Sequence, residues 1–273
     1  MPKFAANLST MFTERSFLER FEAAQAAGFK AVECQFPYEA EADEIKARLG
    51  QHGLELVLFN TPPGDFAAGE RGLAGLPGRE ADFAAALDRT LAYAEKLDTR
   101  LIHVMAGVQP NDQRPERCLE VYRENLIKAC DALKSASRFC LIEPINTRDI
   151  PGYLLNTPDE AAALIRELGR DELKLQFDFY HCQTMRGDLT AQFEKHQSLI
   201  PHVQIANLPG RHEPDRGEIA YDFIFEMLDR TGFEGWVGCE YVPEGRTEDG
   251  LGWAARHGIR PADTLLATGG ERV

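Results

Sequence analysis

The chain has 273 residues, a formal net charge of −14 and a composition that is 44% hydrophobic and 27% charged. This length fits one large α/β domain or two small ones. The acidic balance argues against sequence-independent nucleic-acid binding, which needs a basic face, and the chain lacks the run of about 18 apolar residues that a transmembrane helix needs.

Apolar, strand-like runs alternate with segments of helical period along the chain. The eight predicted strands are residues 3–8, 30–36, 54–60, 101–105, 139–143, 173–178, 202–206 and 235–241. Helices are predicted over residues 14–27, 79–98, 115–136, 158–169, 188–198 and 220–231. A further helix follows the second strand and ends at about residue 52. The start at Thr157-Pro158-Asp159-Glu160 is the clearest, because it combines a cap residue, a proline at the first helical position and acids in the first turn.

The alternation predicts a (β/α)₈ TIM barrel formed as a single domain over residues 1–260. Eight strand–helix units in about 250 residues is typical of this fold. A doubly wound sheet would need a glycine fingerprint after the first strand, and none is present there. The short polar tail at 261–273 is predicted to be peripheral.

The segment 61–78, after the third strand, is rich in glycine and proline and has no helical or strand period. A connection of this length without regular structure is typical of a lid or binding loop. A flexible surface insertion is an equally good interpretation of the same composition.

The cysteines and the N-terminus indicate a cytoplasmic protein. None of the six cysteines forms a CxxC pair, and three lie inside apolar strand-like runs. Reduced core thiols explain this distribution better than disulfides or zinc. The first five residues, Met-Pro-Lys-Phe-Ala, lack the apolar core of a signal peptide.

Polar side chains stand at the carboxyl ends of four consecutive predicted strands. The fifth strand ends in Glu143, the sixth in Asp178 and the eighth in Glu240, while the seventh carries Gln204. The residue before each of them is apolar and suits the face that packs on helices. Since side chains alternate between the two faces of a strand, all four are predicted to point into the barrel mouth, where active sites lie.

Three carboxylates and an amide in one place require a counter-charge, because crowded carboxylates cannot all stay ionised. Oxygen ligands favour Mg²⁺ or Mn²⁺ over zinc, which prefers histidine and cysteine. The sequence therefore predicts a divalent metal on Glu143, Asp178, Gln204 and Glu240. For any single carboxylate, capping a helix or pairing with arginine is the competing interpretation.

Other polar residues are predicted near the same end of the barrel. His181 lies three residues past the sixth strand, and we expect it to have a functional role. The loop after the seventh strand carries Arg211 and Arg216, of which we favour Arg211 for a substrate carboxylate. His103 is expected to lie in the barrel wall with hydrogen-bond partners for its ring nitrogens. For Glu33 both a functional and a structural role are open.

At these residues the chain resembles the hydroxypyruvate isomerase family, within the xylose isomerase-like TIM barrels. The resemblance covers nearly the whole chain, and its motifs are long and specific together. They are Phe-Ala-Ala-Asn-Leu-Ser at 4–9, Ile-Glu-Pro-Ile-Asn at 142–146, Gln-Phe-Asp-Phe-Tyr-His at 176–181, His-Val-Gln-Ile-Ala at 202–206, Gly-Glu-Ile at 217–219 and Cys-Glu-Tyr at 239–241, with loop motifs at 63–65, 68–72 and 77–80.

The family pattern implies that the four strand-end residues hold a divalent metal and that Glu143 and Glu240 transfer the proton. The reaction would be an aldose–ketose type isomerisation through a cis-enediolate. His181 would hydrogen-bond a substrate oxygen, and Arg211 or Arg71 would hold the substrate carboxylate. The segment 61–78 would close over the site and exclude water.

Two branches of this family differ in substrate. One interconverts hydroxypyruvate and 2-hydroxy-3-oxopropanoate, and the other interconverts 2-oxotetronate and 3-oxotetronate. The motifs at 143–146 and 149–152 resemble the first branch, whereas those at 103–107 and 250–253 resemble the second. We predict the hydroxypyruvate reaction, with 2-oxotetronate isomerisation as the alternative.

Three further classes of protein compete with this interpretation. A ketose 3-epimerase usually has a histidine where Gln204 stands. A metal-dependent endonuclease would need more histidine ligands and a basic groove, against the net charge of −14. A non-catalytic sugar-acid binding protein would be stabilised by its ligand without turnover. The sequence leaves a homo-oligomer open.

Overall fold

Eight parallel strands close into a barrel in the computed structural model, which describes residues 1–260. The strands are β1 (Lys3–Asn7), β2 (Ala31–Cys34), β3 (Glu55–Asn60), β4 (Leu101–His103), β5 (Phe139–Ile142), β6 (Leu173–Asp178), β7 (His202–Ile205) and β8 (Trp236–Cys239). Each strand pairs with its neighbours in chain order, and β1 pairs with β8. The predicted single (β/α)₈ barrel is therefore confirmed, and the predicted tail at 261–273 lies outside the described residues.

The α-helices of the described residues follow the same alternation. They are α1 (Arg20–Ala26), α2 (Ala42–His52), α3 (Glu80–Leu97), α4 (Pro115–Ser135), α5 (Pro158–Leu168), α6 (Phe179–Met185), α7 (Leu189–His196) and α8 (Tyr221–Arg230). The helix predicted from residue 14 begins later, with a short 3₁₀ turn at Phe17–Glu19 before α1. Helix α6 and a 3₁₀ helix at Thr247–His257 were not predicted.

Helix α5 shows how local sequence sets an element boundary. The Thr157 hydroxyl accepts a hydrogen bond from the Glu160 backbone N–H at 3.3 Å, and the Glu160 carboxylate accepts one from the Thr157 N–H at 3.0 Å. This reciprocal capping satisfies N–H groups that have no partner inside the helix. Gly169 ends the helix in the left-handed conformation, at φ 59°.

The two faces of the barrel wall separate as the alternation predicts. The large apolar cluster of the molecule includes the residues that were predicted to face the helices, Ile142, Phe177, Val203 and Cys239. A second, small apolar cluster consists of Ala5, Ala31, Val57, Leu58 and Leu141. Because Leu141 and Glu143 are two residues apart on one strand, the interior face of β5 leads directly to Glu143 at the barrel mouth.

The segment 61–78 is fixed to the barrel along its second half. Leu73, Ala74 and Leu76 are buried, and the Gly75 N–H donates to the Ala106 carbonyl at 2.7 Å. Gly72 has φ 120°, and a Cβ added there would lie 2.5 Å from the Met105 carbonyl oxygen, so this close approach requires glycine. The tip near Phe66 is exposed. Only this short part of the segment projects from the barrel, so the segment as a whole is not a free surface insertion.

The cysteines are placed as expected for core thiols. All six are free and buried. Among residues 1–260 no helix combines the length and the apolar character that crossing a membrane requires.

Candidate active site

The predicted polar strand ends meet at the carboxyl end of the barrel. Asp178 is the last residue of β6, while Glu143 and Glu240 each follow directly on β5 and β8. All three are buried. A cavity of about 240 Å³ opens beside them, bordered among others by Glu143, His181, Arg211 and Glu240. The convergence of these side chains follows from the shared register of parallel strands.

Two buried carboxylate oxygens of this site have no hydrogen-bond partner among the described residues. They are Oε1 of Glu143 and Oδ2 of Asp178. Burial raises the pKa of Glu143 well above its ordinary value, and the carboxylates of Glu240 and Asp178 raise it further. Burial also raises the pKa of Asp178 to about 7, although Arg211 opposes that shift. Burying an ionised carboxylate without a partner costs free energy. A cation or a proton at each of these two oxygens would remove that cost.

The donor set around these oxygens fits a divalent metal. One ligand atom each from Glu143, Asp178 and His181 can be chosen so that all lie within 4.8 Å of one another. The His181 Nε2 lies 3.8 Å from Glu143 Oε1 and 3.7 Å from Asp178 Oδ2, too far for a hydrogen bond. A hard cation between the two carboxylates would satisfy both oxygens.

The two histidines near Glu143 are buried and neutral. Burial lowers the pKa of His181 well below its ordinary value, with a further contribution from Arg211. Burial lowers the pKa of His103 to about 3. The expectation that His103 is satisfied in the barrel wall is wrong, because neither ring nitrogen has a partner in the part of the chain that the structure describes. Its Nδ1 lies 3.5 Å from Glu143 Oε2.

Arg211 lies at the site, whereas Arg216 does not. Arg211 Nη2 donates to Glu240 Oε2 at 2.6 Å and lies 3.8 Å from Asp178 Oδ2. Arg216 is exposed and pairs with Glu244 instead. The other oxygen of Glu240 accepts from Gln35 Nε2 at 2.9 Å. Burial raises the pKa of Glu240, and Arg211 opposes this shift.

Gln204 and Arg71, both predicted from the sequence to bind a ligand, have other partners in the structure. Gln204 Nε2 donates to Glu33 Oε1 at 2.8 Å, and Gln204 Oε1 accepts from Gln176 Nε2 at 2.6 Å. That leaves one lone pair on the Gln204 oxygen. Arg71 borders the cavity, but it stacks 3.7 Å from the centre of the Phe66 ring. Metal ligation by Gln204 and substrate binding by Arg71 stay predictions.

Glu33, whose role the sequence left open, is the acceptor at the centre of a polar layer inside the barrel. It is completely buried. Its Oε1 accepts from Asn7 Nδ2 at 2.9 Å as well as from Gln204, and its Oε2 lies 2.7 Å from His202 Nε2. Asn7 Nδ2 also donates to Glu240 Oε1 at 3.2 Å. Glu33 therefore holds Gln204 directly and Glu240 through the side-chain amide of Asn7.

We expect Glu33→Ala to lower the free energy of unfolding by about 3–5 kcal/mol, because it leaves three buried donors without their acceptor. Urea unfolding followed by circular dichroism measures this. Glu55→Ala is the matched control, since Glu55 is an exposed glutamate at the start of the neighbouring strand and should change stability by no more than about 0.5 kcal/mol. Equal effects of the two substitutions would contradict a structural role for Glu33.

Sequence reasoning missed three polar residues around the site. Asn7 ends β1, so the same strand-end criterion applied to the first strand would have found it. Gln35 follows β2 and bonds Glu240, but its direction depends on the loop that follows. Asn146 was quoted as part of a motif only, and its side chain contacts His181, a contact that spacing along the chain does not reveal.

Known proteins of similar sequence and fold cover almost the whole chain. A family model described as the xylose isomerase-like TIM barrel matches residues 21–257. A 2-oxo-tetronate isomerase of Cupriavidus necator is 53% identical over 93% of this chain and 97% of its own length. A hydroxypyruvate isomerase of Escherichia coli is 43% identical over 93% of this chain and 98% of its own length. A crystal structure named as AP endonuclease, family 2, from Brucella melitensis is 49% identical, has a TM-score of 0.92, and covers 94% of this chain and 99% of that one.

Proposed function

The chain belongs to the family of xylose isomerase-like TIM barrels that contains the hydroxypyruvate isomerases and the 2-oxo-tetronate isomerases, and we propose that it is a 2-oxo-tetronate isomerase. It is an isomerase of this family, and its substrate would be a small hydroxy-oxo acid. In the proposed reaction 2-oxotetronate and 3-oxotetronate interconvert. The hydroxyl-bearing carbon loses a proton, the former carbonyl carbon gains one, and the hydroxyl proton passes from one of the two oxygens to the other.

The observation that carries the choice of substrate is the 53% identity with a 2-oxo-tetronate isomerase, against 43% for the hydroxypyruvate isomerase from Escherichia coli. It favours 2-oxotetronate over hydroxypyruvate, the substrate predicted from the sequence, whose motifs resemble both branches. The endonuclease name carried by a similar structure fits less well. A chain of net charge −14 with carboxylates in its cavity would repel a phosphodiester backbone.

We assign Glu143, Asp178, Gln204 and Glu240 to a site for Mg²⁺ or Mn²⁺, which would act as a Lewis acid that polarises the substrate carbonyl. Support comes from the unpartnered oxygens of Glu143 and Asp178 and from the oxygen-rich donor set. One oxygen of Glu240 accepts a hydrogen bond from Arg211. Its other oxygen accepts only from the side-chain amides of Gln35 and Asn7, which the metal could replace.

Glu143 is the proposed base that removes the proton from the hydroxyl-bearing carbon. Its carboxylate borders the cavity, and burial raises its pKa above the ordinary value, which makes it a stronger proton acceptor. Glu240, on the last strand, would serve the other carbon. The two glutamates share one cavity, so a substrate between them can reach both.

The positive and neutral donors of the cavity would hold the substrate's oxygens. Arg211 is half-buried beside the carboxylates, and Glu240 and Asp178 stabilise its positive charge, so it can bind the substrate carboxylate. His181 would donate a hydrogen bond to a substrate oxygen on which negative charge develops. Phe66 and Arg71, from the exposed tip of the 61–78 segment, border the same cavity and would limit the access of water.

The test is an NMR assay in deuterated water with 2-oxotetronate and with hydroxypyruvate as separate substrates. We expect kcat/KM to be at least about tenfold higher for 2-oxotetronate, because the extra carbon and hydroxyl add contacts in the transition state. Deuterium should enter at the isomerised carbon. Glu240→Gln, purified in the same way, gives the background from contaminating enzymes. Turnover of hydroxypyruvate with none of 2-oxotetronate would overturn the assignment of substrate.

A further inference from the structure

The His181 ring is held from one side by a single residue. Asn146 Nδ2 lies 2.7 Å from His181 Nδ1, and the Asn146 backbone N–H points at the same nitrogen from 3.4 Å. His181 itself is 3% exposed. Both groups of Asn146 that face the ring are N–H donors.

The orientation of the Asn146 amide is fixed by its own loop. Its Oδ1 accepts from the backbone N–H of Arg148 at 3.0 Å and from that of Asp149 at 2.8 Å. These two bonds form the turn that follows β5. Exchanging the amide oxygen and nitrogen would place an NH₂ group against two N–H donors, so the NH₂ group must face His181.

We propose that Asn146 is a positioning residue that fixes His181 in the tautomer with its hydrogen on Nε2, so that His181 serves the reaction as a hydrogen-bond donor and stays outside the set of metal ligands. A neutral imidazole has one N–H group and one lone pair. Because two donors meet Nδ1, that nitrogen carries the lone pair and Nε2 carries the hydrogen. This inference rests on the proposed isomerase function for its catalytic meaning, but the tautomer itself does not.

The position of Nε2 gives the tautomer its consequence. Nε2 lies 3.7 Å from Asp178 Oδ2 and 3.8 Å from Glu143 Oε1, on the side where the substrate would approach these carboxylates. An N–H there stabilises negative charge that develops on a substrate oxygen. The opposite tautomer would present a lone pair, which would repel that oxygen and compete for the metal.

Asn146→Asp reverses the hydrogen bond while it keeps the shape of the side chain. Aspartate retains an oxygen for the N–H groups of Arg148 and Asp149, but it replaces the donor that faces His181 with an acceptor. Asn156→Asp is the matched control, because Asn156 lies on the same connection and donates to the carbonyls of Ile145 and Tyr153, not to a histidine.

The measurement is ¹⁵N NMR of histidine-labelled, metal-free protein at mildly alkaline pH, with His181→Gln used to assign the signal. We expect Nδ1 of His181 to be unprotonated in the wild type and in Asn156→Asp, and protonated in Asn146→Asp. We expect kcat on 2-oxotetronate to fall about 10–100-fold in Asn146→Asp, as for other partners that orient a functional histidine, with a smaller change in KM.

A wild-type spectrum with the hydrogen on Nδ1 would overturn the proposal. This result is read from the wild-type protein, and His181→Gln serves only to assign the signal. A protonated Nδ1 in Asn146→Asp with unchanged kcat would overturn the catalytic half. If the wild type fails to isomerise 2-oxotetronate while Nε2 carries the hydrogen, the proposed function fails and the role of Asn146 as the residue that sets the tautomer stands.

Discussion

Glu143→Gln should lower kcat by about 10³-fold or more, because it removes both the proposed proton acceptor and a charged metal ligand. The substitution keeps the size and shape of the side chain, so the loss would be chemical. The measurement is turnover of 2-oxotetronate with added Mg²⁺ or Mn²⁺, alongside circular dichroism to verify the fold. Glu194→Gln, at an exposed position of α7, is the control that changes the same charge elsewhere.

The same substitution should stabilise the metal-free protein at neutral pH. Burial and the neighbouring carboxylates raise the folded-state pKa of Glu143 above its ordinary value of 4.5. The stability that this group contributes is therefore present below its unfolded pKa and is lost as the pH rises through its folded pKa. Glutamine has no such loss. Urea unfolding in the presence of a chelator should show a gain for Glu143→Gln that shrinks as the pH is lowered towards 4.5.

Wild-type turnover by Glu143→Gln would remove Glu143 from the mechanism altogether. Loss of activity together with loss of stability at neutral pH would instead assign Glu143 a structural role. The two measurements separate a costly functional carboxylate from one that the fold needs, which neither measurement does alone.

The barrel and the position of its three carboxylates were predictable because both follow from short-range rules. A strand ends where its apolar run ends, and side chains two residues apart share a face. Those rules alone place Glu143, Asp178 and Glu240 at one end of the barrel. Asp178 was located at the exact end of β6, but helix α6 after it was missed because its seven residues are too few for a clear period.

Contacts between loops were not predictable in the same way. The direction of the Arg211 side chain depends on its own backbone, which lies in a loop at φ 62°. The hydrogen bond from Asn146 to His181 joins residues that are 35 positions apart in the chain. The stacking of Arg71 on Phe66 likewise depends on how the 61–78 segment folds back on itself. Side-chain direction in irregular backbone is decided by tertiary packing, which has no period along the chain.

Exhaustive chelation should lower turnover of 2-oxotetronate by roughly 10²–10⁴-fold, the several kcal/mol that a Lewis acid supplies to such a transition state. Adding Mg²⁺ or Mn²⁺ back should restore activity. At a metal concentration of about 100 times Kd, it should also raise the free energy of unfolding by about 2.7 kcal/mol. Metal analysis of the chelated protein is the necessary control, and full activity in protein shown to be metal-free would dismiss the role of the metal.

The dependence of metal affinity on pH tests which residues hold the metal. Burial raises the pKa of Asp178 to about 7, and a metal binds only the ionised carboxylate, so protons compete with it below that pH. Affinity should therefore fall about tenfold per pH unit below neutrality for each carboxylate that must lose a proton. Asp178→Asn keeps the cap on the Tyr180 N–H, whose acceptor is Oδ1 at 2.6 Å, but removes the charged oxygen. That variant should fold and lose the stabilisation by metal, and if it kept the full effect, Asp178 would not be a ligand.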